Sequence, residues 1–326
     1  MSLYVLSPTL QAAINAGNPQ RVLIDFFAKP DGEWYTNDQG VVERRSFSNE
    51  DILMTEGIRL TSEFNSETDL TIGMCPSSQI RFSMLNDNGQ LEDFEFGYFR
   101  AYIGARVEPQ IFPRTSYVVE FEEDGENRYY EFAPLGVFFA QRPDIVRKKI
   151  IEVDANDLMV LFDKEMPEGL ISYTNNTTLY NIAHALCGAV NPTSPAVVTL
   201  KSNTWLNSTI KVTSEPEQFK GATMREIIGW IAEAACANAM FNREGQLEFK
   251  WFTTVDRTYD EHDYSEFTAT WYETKPIDGL NIRNADSTAE LPLVYNEQTG
   301  DIDRGTGTNV YMIQDNPFLR QPEASP

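Results

Sequence analysis

The residues that most often carry out chemistry are scarce in this chain, which has only two histidines among 326 residues. His184 lies near the edge of the apolar stripe of a predicted helix, where a packed or half-exposed imidazole is a simpler interpretation than a ligand. His262 stands between Glu261 and Asp263 in a predicted loop. This trio could bind a divalent cation weakly, but consecutive side chains rarely converge on one ion, so we predict no metal site there.

The three cysteines, Cys75, Cys187 and Cys236, lie far apart in the sequence and form no C-x-x-C pair. We predict that all three are buried thiols in a reducing compartment. His184 precedes Cys187 by three positions, so both would lie on one helix face. Because the sequence supplies no third group to orient the histidine, it does not indicate cysteine catalysis.

The sequence also lacks the short motifs of common active sites. It contains no G-x-G-x-x-G, G-x-x-x-x-G-K-[ST], H-E-x-x-H or G-x-S-x-G. Carboxylates are abundant, but 49 acidic residues create close pairs by chance, so they do not indicate glycoside cleavage. The loops "NDNG" (86–89) and "EDGE" (123–126) lack the twelve-residue spacing of calcium loops. We therefore predict no catalytic residue, no cofactor site and no metal site.

The charge of the chain is strongly negative. Its 26 basic and 49 acidic residues give a net charge of -23 and an isoelectric point near 4.4. The only basic cluster is "RKK" at 147–149, which argues against tight nucleic-acid binding. A mean hydropathy of -0.38 and the absence of a long apolar run argue against a membrane span. The first residues lack a basic and then apolar signal segment, so we expect cytosolic synthesis without export.

The first part of the chain, 1–155, is predicted to be a mostly antiparallel β-domain, with strands at a spacing that suits a small barrel or a sandwich. It begins with a short helix, for which Ser7 is the N-cap, Pro8 the first helical residue and Gly17 the end. Strand-forming runs follow from 21–28 onward, separated by turn signals. The dipeptides Asn88-Gly89 and Asp124-Gly125 each predict a hairpin.

The middle part, 156–262, is predicted to be an α+β domain. Its first element is a short helix capped by Asp154, with Asp157 in the first turn. A second helix begins at Thr178 and ends at Asn191-Pro192, because its apolar residues repeat every three or four positions. We expect short strands in "VVTLKSNTW" (197–205) and "STIKVT" (208–213).

The best organised stretch of the chain is 223–249. Thr223 and Glu226 form a capping box, and the apolar residues that follow give the helix one buried face. A turn at 243–245 then leads into a strand on which apolar residues alternate, namely Leu247, Phe249 and Trp251. We predict a helix that packs on its own hairpin. The last part, 263–326, is predicted to begin a second barrel-like β-domain.

Several segments resemble, in the same order, the phage tail hub family. They are "PLGVFFAQRP" (134–143), "IIEVDANDLMVLFDKEMP" (150–167), "ATMREIIGWIAEAACANAMFNREGQLEFKWF" (222–252) and "YETKPIDGLNI" (272–282), with a looser similarity in "DLTIGMCPSSQIRFSML" (69–85). The family comprises the baseplate hub of contractile-tailed phages. It also includes the amino-terminal part of tail-associated proteins in flexible-tailed phages and in prophages of Gram-positive bacteria.

The resemblance implies an α+β, mostly β fold, in which antiparallel barrel-like domains flank the helix–hairpin domain. It implies a homotrimer whose pseudo-sixfold ring joins the tail tube to the tip or spike. The expected partners are other copies of the chain, distal tail or tube proteins, and a spike or fibre, with DNA only in transit through the lumen. The expected location is the tail tip or baseplate of the virion, after synthesis in the host cytoplasm. Relatives usually continue through the second barrel, which we expect to be incomplete here.

Two other interpretations stay open on sequence alone. The chain could be a tail-associated cell-wall hydrolase that uses two carboxylates, although relatives carry such domains further downstream. It could also be a receptor-binding module for glycans, with "GYFRAY" or "NRYYEFA" as an aromatic platform. The negative charge is explained by solubility alone, or by an acidic lumen that repels passing DNA. The second explanation requires the acidic residues to crowd one inner face.

Overall fold

The computed structural model of the protein describes most of residues 6–251 and four strands beyond them. The described residues are 6–37, 39–55, 57–61, 72–87, 89, 91, 93–110, 116–140, 149–174, 176–191, 198–251, 279–283, 293–295, 302–304, 310–314 and 316–319.

Within this part of the chain, strands outnumber helices. The α-helices are α1 (Pro8–Asn15), α2 (Leu179–Val190) and α3 (Met224–Ala234), and short 3₁₀ helices cover Leu158–Phe162 and Glu217–Phe219. The strands are β1 (Gln20–Ala28), β2 (Arg45–Phe47), β3 (Arg59–Thr61), β4 (Gln79–Leu85), β5 (Tyr98–Val107), β6 (Tyr117–Glu123), β7 (Glu126–Ala140), β8 (Ile150–Asp157), β9 (Thr199–Leu200), β10 (Asn238–Phe241), β11 (Gln246–Lys250), β12 (Gly279–Arg283), β13 (Leu293–Tyr295), β14 (Ile302–Arg304) and β15 (Val310–Gln314). The predicted fold class, α+β and mostly β, is confirmed.

The largest sheet is antiparallel and curls around its own core. Its strand order is β2-β1-β5-β7-β8-β4-β3, and β6 pairs with the first half of β7. Strands β4 and β5 are three places apart, or about 14 Å in a flat sheet. The rings of Phe82 on β4 and Phe99 on β5 are nevertheless only 5.8 Å apart. The sheet is therefore strongly curved, but its two end strands, β2 and β3, are not paired in the described ranges, so no closed barrel is seen there.

Both faces of this sheet are covered by other side chains. One side of β5 and β7 packs against α1, whose Ser7 cap accepts a hydrogen bond from the Leu10 N–H as predicted. The other side carries the aromatic residues of the β6–β7 hairpin. Further along the sheet, the inner face is filled by a cluster of large apolar residues, including Ile24, Phe26, Phe82, Phe99, Phe138 and Ile151.

One of the two predicted hairpins is correct. Strands β6 and β7 are joined by Asp124-Gly125, which have φ angles of +53° and +76° as a two-residue hairpin turn requires. The hairpin predicted at Asn88-Gly89 is wrong. Strand β4 pairs with β3 and β8, whereas β5 pairs with β1 and β7, so the strands on either side of this dipeptide are not neighbours. Pairing with distant strands overrode the local turn signal.

The α+β region is built from α2, α3 and a small sheet of order β10-β11-β9. Both predicted caps are confirmed, since Thr178 with Asn181 and Thr223 with Glu226 each form a capping box. The hairpin after α3 turns at Gly245, which has a φ of +81°. Strand β11 ends at Lys250, one residue before Trp251.

Two local predictions in this region are corrected. Strand β8 continues through Asp154, and the cap of the following 3₁₀ helix is Asp157, whose side chain accepts from the Met159 N–H. Burial also raises the pKa of Asp157, although backbone and serine donors oppose that rise. The segment 208–213 is not a strand. Its backbone forms hydrogen bonds with residues 177–180 at the start of α2, but these include only one isolated bridge, between Lys211 and Thr178.

The curved sheet and the α+β region share one hydrophobic core. Both regions contribute residues to it, among them Val137 of β7, Leu158 of the 3₁₀ helix and Leu247 of β11. The hairpin turn presses on the sheet so closely that a Cβ on Gly245 would lie 2.6 Å from Val137 Cγ2. The predicted boundary between 1–155 and 156–262 therefore crosses continuous packing, and the division into domains stays a prediction.

The last four strands form a separate sheet of order β14-β13-β12-β15. Strand β12 is antiparallel to β13 but parallel to β15, which differs from the purely antiparallel domain that was predicted. The expectation of an incomplete second barrel concerns 263–326, most of which lies outside the described residues. In the described ranges, none of the helices has the length and apolar character needed to span a membrane.

Candidate functional site

Of the residues considered for catalysis, His184 and Cys187 line one cleft, but no hydrogen bond joins their side chains. His184 is exposed on α2 and stacks loosely on Tyr180, with ring centres 5.8 Å apart. Cys187 is buried in the same helix, and burial raises the pKa of its thiol to about 12. His262 and its acidic neighbours lie outside the described residues. The described ranges contain no cluster of three or more His, Cys, Asp or Glu side chains suited to a metal ion.

The other two cysteines differ from each other. Cys75 is half-buried, and desolvation raises the pKa of its thiol to about 12. Cys236 is exposed, so the prediction that all three thiols are buried is wrong. Cys236 has a φ of +50° in the tight turn between α3 and β10, where the sharp change of direction turns its side chain outward.

The helix–hairpin stretch is a packed frame whose polar ends are satisfied. Thr223 Oγ1 accepts from the Glu226 N–H at 3.2 Å, and Glu226 Oε2 accepts from the Thr223 N–H at 2.7 Å. On the buried face of α3, Ile227, Ile228 and Ile231 have no exposed surface. These side chains are fully engaged in capping and packing, as the sequence predicts.

A crossing segment, residues 72–75, ties the curved sheet to this frame. The Gly73 N–H donates to Ala237 O at 2.9 Å, and the Met74 N–H donates to Asn238 Oδ1 at 2.8 Å. In return, the Ala239 N–H donates to Met74 O at 2.9 Å. Three residues separate the segment from β4, so these bonds hold the β4 side of the large sheet against the turn after α3 and against β10.

The chain returns to the same frame near its described end. Asn316 is 1% exposed, and its Nδ2 donates to Trp230 O at 2.9 Å and to Glu233 Oε2 at 2.7 Å. Burial raises the pKa of Glu233, and the hydrogen bond from Asn316 partly opposes that rise. Two residues later, the ring of Phe318 packs edge-on against Phe219. Helix α3 therefore contacts both the crossing segment that precedes β4 and a segment near the described end of the chain.

A buried arginine locks the β6–β7 hairpin onto β1. Arg21 donates to Glu123 Oε1 through Nη2 at 2.7 Å and through Nε at 3.0 Å, and Nη2 also contacts Glu50 at 2.9 Å. Its guanidinium carbon lies 4.3 Å from the ring centre of Phe121 and 5.3 Å from that of Tyr130. One side chain thus joins β1, the hairpin and the turn around Glu50.

The ionisation of this cluster follows from its contacts. Desolvation lowers the pKa of Arg21, but hydrogen bonds with Glu50 and Glu123 raise it by more, so the net shift is upward. The hydrogen bond from Arg21 lowers the pKa of Glu50. Desolvation raises the pKa of Glu123, while hydrogen bonds from Arg21 and Tyr130 lower it by more. All three groups are therefore held in their charged forms.

A cleft of about 880 Å³ opens beside the hairpin, between the start of α1 and the turn after β10. Its walls include Tyr102, Tyr117 and Phe132, together with the side chains of Arg44, Arg100, Glu131 and Arg243. Glu131 is only 2% exposed, and its Oε2 has no hydrogen-bond partner. This is the candidate binding site of the described residues.

A second buried carboxylate lies behind one wall of the cleft. Asp25 is 1% exposed and accepts a hydrogen bond from the Tyr117 hydroxyl at 2.9 Å. Arg44 Nη1 lies 3.8 Å from the same carboxylate oxygen. Burial and the adjacent Asp25 raise the pKa of the Tyr117 hydroxyl, which keeps it a donor.

Sequence reasoning missed Arg21, Asp25 and Glu131. The available signal was a charged residue within a strongly apolar strand. Arg21 and Asp25 lie in "RVLIDFFA" (21–28), and Glu131 lies in "YYEFA" (129–133). Strand alternation does assign Arg21 and Asp25 to one face. It does not reveal that this face is covered by a hairpin a hundred residues away.

Comparison with known proteins gave matches only among solved structures. No protein-family model and no curated protein matches the chain. The crystal structure of the 43 kDa tail protein of prophage MuSo2 from Shewanella oneidensis is similar, with 11% identity and a TM-score of 0.43, over 94% of this chain and 74% of that one. The crystal structure of the tail protein from Neisseria meningitidis MC58 has 13% identity and a TM-score of 0.35, over 79% of this chain and 70% of that one. Similarities this low assign the chain neither a family nor a function.

Proposed function

We propose that this chain is a structural protein of a phage tail, whose role is to hold other tail proteins in register. The proposal rests on the order of the sequence segments that resemble the tail hub family. The observation that carries it is that three of these segments, 134–143, 150–167 and 222–252, contribute Val137, Leu158 and Leu247 to one shared core. Segments that must pack together to form one rigid unit are expected to occur together in a family.

The geometry of the frame suits a structural role. Helix α3 is fixed at its capped start, along its buried face and on its outer side by the crossing segment and by Asn316. Such a unit resists deformation, because each contact restrains a different part of the helix. A protein that fixes the relative positions of neighbouring rings must be rigid, and it does not need a flexible cleft.

The proposal is tested by inactivating the gene in a lysogen that carries it and viewing the induced particles by electron microscopy. We expect filled heads without complete tails, and restoration of tails when the intact gene is supplied in trans. Normal tails in the inactivated strain would refute the proposal.

The finer proposal is a trimeric hub at the tail tip or baseplate, in contact with tube or distal tail proteins above and a spike or fibre below. In this arrangement DNA only passes through the lumen. Light scattering during size-exclusion chromatography tests the trimer, since three chains of 37.1 kDa give about 111 kDa. A monomer that stays monomeric when mixed with the neighbouring tail proteins would contradict the hub.

We also propose that this chain has no enzymatic role. Zymography on purified cell walls tests this directly. We expect no clearing by the purified chain at concentrations where a lysozyme control clears the gel. Clearing that survives repurification would favour the hydrolase interpretation instead.

A further inference from the structure

Acidic residues are unevenly distributed along the chain. No aspartate or glutamate occurs between Glu168 and Glu215, although the whole chain has 49 acidic residues and a net charge of -23. The only side chains between these two glutamates that are charged at pH 7 are Lys201 and Lys211. We call the described residues of 169–214 the acid-free region. This region differs sharply in charge from the rest of the protein.

The two main parts of the acid-free region lie side by side. The loop after β9 runs along the start of α2, where the Leu179 N–H donates to Ile210 O at 3.1 Å and the Tyr180 N–H donates to Ser208 O at 3.0 Å. The ring centre of Tyr180 lies 5.9 Å from that of Trp205 in this loop. The helix and the loop therefore form one surface.

This surface carries an exposed apolar side chain on a rigid turn. Leu206 is 61% exposed, the largest exposed fraction of any large aliphatic residue in the described part of the chain. The next residue, Asn207, has a φ of +64°, and its Nδ2 donates to Ala234 O at 2.7 Å, which fixes the turn to the end of α3. A partner that contacts Leu206 therefore does not have to order it. The partly exposed rings of Trp205 and Tyr180 add aromatic area of the kind found in protein interfaces.

One acidic side chain reaches this surface from β11, and it is paired. Glu248 forms an ion pair with Lys201, and only 11% of the Glu248 side chain is exposed. Lys211 is exposed. The surface is therefore neutral or basic, whereas the chain as a whole is strongly negative.

We propose that the acid-free region is the surface through which the chain binds a second copy of itself. Two copies that each carry a charge of -23 repel each other, and the repulsion is smallest where one of them presents neutral and basic groups. The exposed lysine is complementary to the acidic surface of the approaching copy, and Leu206 supplies apolar contact area. This inference rests on the proposed function, in which copies of the chain assemble, and it names a surface on which they meet.

The first experiment measures access to this surface in the single chain and in the associated form. The full chain with Leu206→Cys is treated with a small thiol reagent, and mass spectrometry of the peptide around position 206 separates its reaction from those of the native cysteines. We expect fast reaction in dilute protein and slow reaction at concentrations where the chain associates. Slow reaction in protein that light scattering shows to be single chains would mean that the chain itself covers this surface, which overturns the proposal.

The second experiment adds negative charge to the surface and measures self-association by sedimentation equilibrium. Leu206→Asp and His184→Glu each place a carboxylate on exposed positions of the acid-free region. Val42→Asp is the matched control, because Val42 is 53% exposed and lies outside this region. We expect the wild type and Val42→Asp to associate equally, and the other two variants to raise the Kd by at least about tenfold, because a carboxylate then meets an acidic partner.

Equal association of all four proteins would overturn the proposal, and so would a wild type that remains a single chain up to its solubility limit. Thermal melts in dilute solution separate loss of the interface from loss of the fold. The substituted residues are exposed, so the variants should unfold at the temperature of the wild type. If Leu206→Asp unfolds at a lower temperature, His184→Glu alone decides the outcome.

The outcome is separable from that of the proposed function. If the chain associates through the acid-free region but tails form without the protein, the interface stands and the tail role fails. If tails require the protein but the charged variants associate as the wild type does, the tail role stands and this interface fails.

Discussion

The carbonyl oxygen of Gly73 lies so close to helix α3 that a Cβ on Gly229 would come within 3.0 Å of it. This contact allows the crossing segment to reach its hydrogen-bond partners at Ala237, Asn238 and Ala239. Gly229 is inside a helix, where glycine is unfavourable by about 1 kcal/mol relative to alanine. The close approach of the two backbones is the physical reason for a glycine at this position.

The first prediction compares two helical glycines. Gly188 in α2 has no atom within 4 Å of the position of a Cβ, so Gly188→Ala should stabilise the protein by up to about 1 kcal/mol. Gly229→Ala should show no such gain and should destabilise, because the crossing segment must move away. Urea unfolding measures both. Equal stabilisation by the two substitutions would show that the contact at Gly73 is not tight.

The second prediction concerns the buried arginine of the hairpin. Arg21→Ala should destabilise the protein by about 3 kcal/mol, because Glu123 and the faces of Phe121 and Tyr130 lose a buried cation. The control is Arg81→Ala, which breaks an exposed ion pair with Asp154 between β4 and β8 and should cause a much smaller loss, because water screens exposed charges. Similar losses for the two variants would argue against the locking role of Arg21.

The third prediction is a pH dependence of the same cluster. The folded-state pKa values of Glu50 and Glu123 lie below their ordinary value of 4.5. Groups with lowered pKa values contribute stability above the ordinary pKa, and this contribution is lost as the pH falls through the folded-state values. The stability difference between the wild type and Arg21→Met should therefore shrink from about pH 6 to about pH 3. A difference that stays constant over this range in urea unfolding would contradict the coupling.

The fourth prediction concerns the contact of α3 with the described end of the chain. Asn316→Ala removes the donors to Trp230 O and Glu233 Oε2, and it should destabilise the protein by about 1–3 kcal/mol. Hydrogen exchange should rise at 316–319 and along the outer side of α3. The control is Asn203→Ala, at an exposed residue, which should change neither measurement. Unchanged exchange at 316–319 in Asn316→Ala would mean that other contacts hold this segment.

The sequence predicted best those features that depend on residues close together in the chain. The caps at Ser7, Thr178 and Thr223 were correct, because a cap requires only a side chain and the next three residues. The turn at Asp124-Gly125 was correct for the same reason. The fold class followed from the number and spacing of such local elements.

The features that failed depend on contacts between distant residues. Asn88-Gly89 has the composition of a hairpin turn, but β4 and β5 each pair with other strands. The sequence also did not predict the candidate site. Arg21 is buried by the distant β6–β7 hairpin, and Glu131 lies where β7 pairs with β5 and β6, and no local pattern specifies either arrangement.

The most direct test of the structural account is to locate the protein in assembled particles. Intact particles purified after induction would be labelled with gold-conjugated antibodies against the full chain and viewed by electron microscopy. The account predicts gold at one end of the tail, at a single position along it, and no label on particles from the inactivated strain. Gold confined to the heads, or no label on intact or partly disassembled tails that contain all other tail proteins, would contradict it.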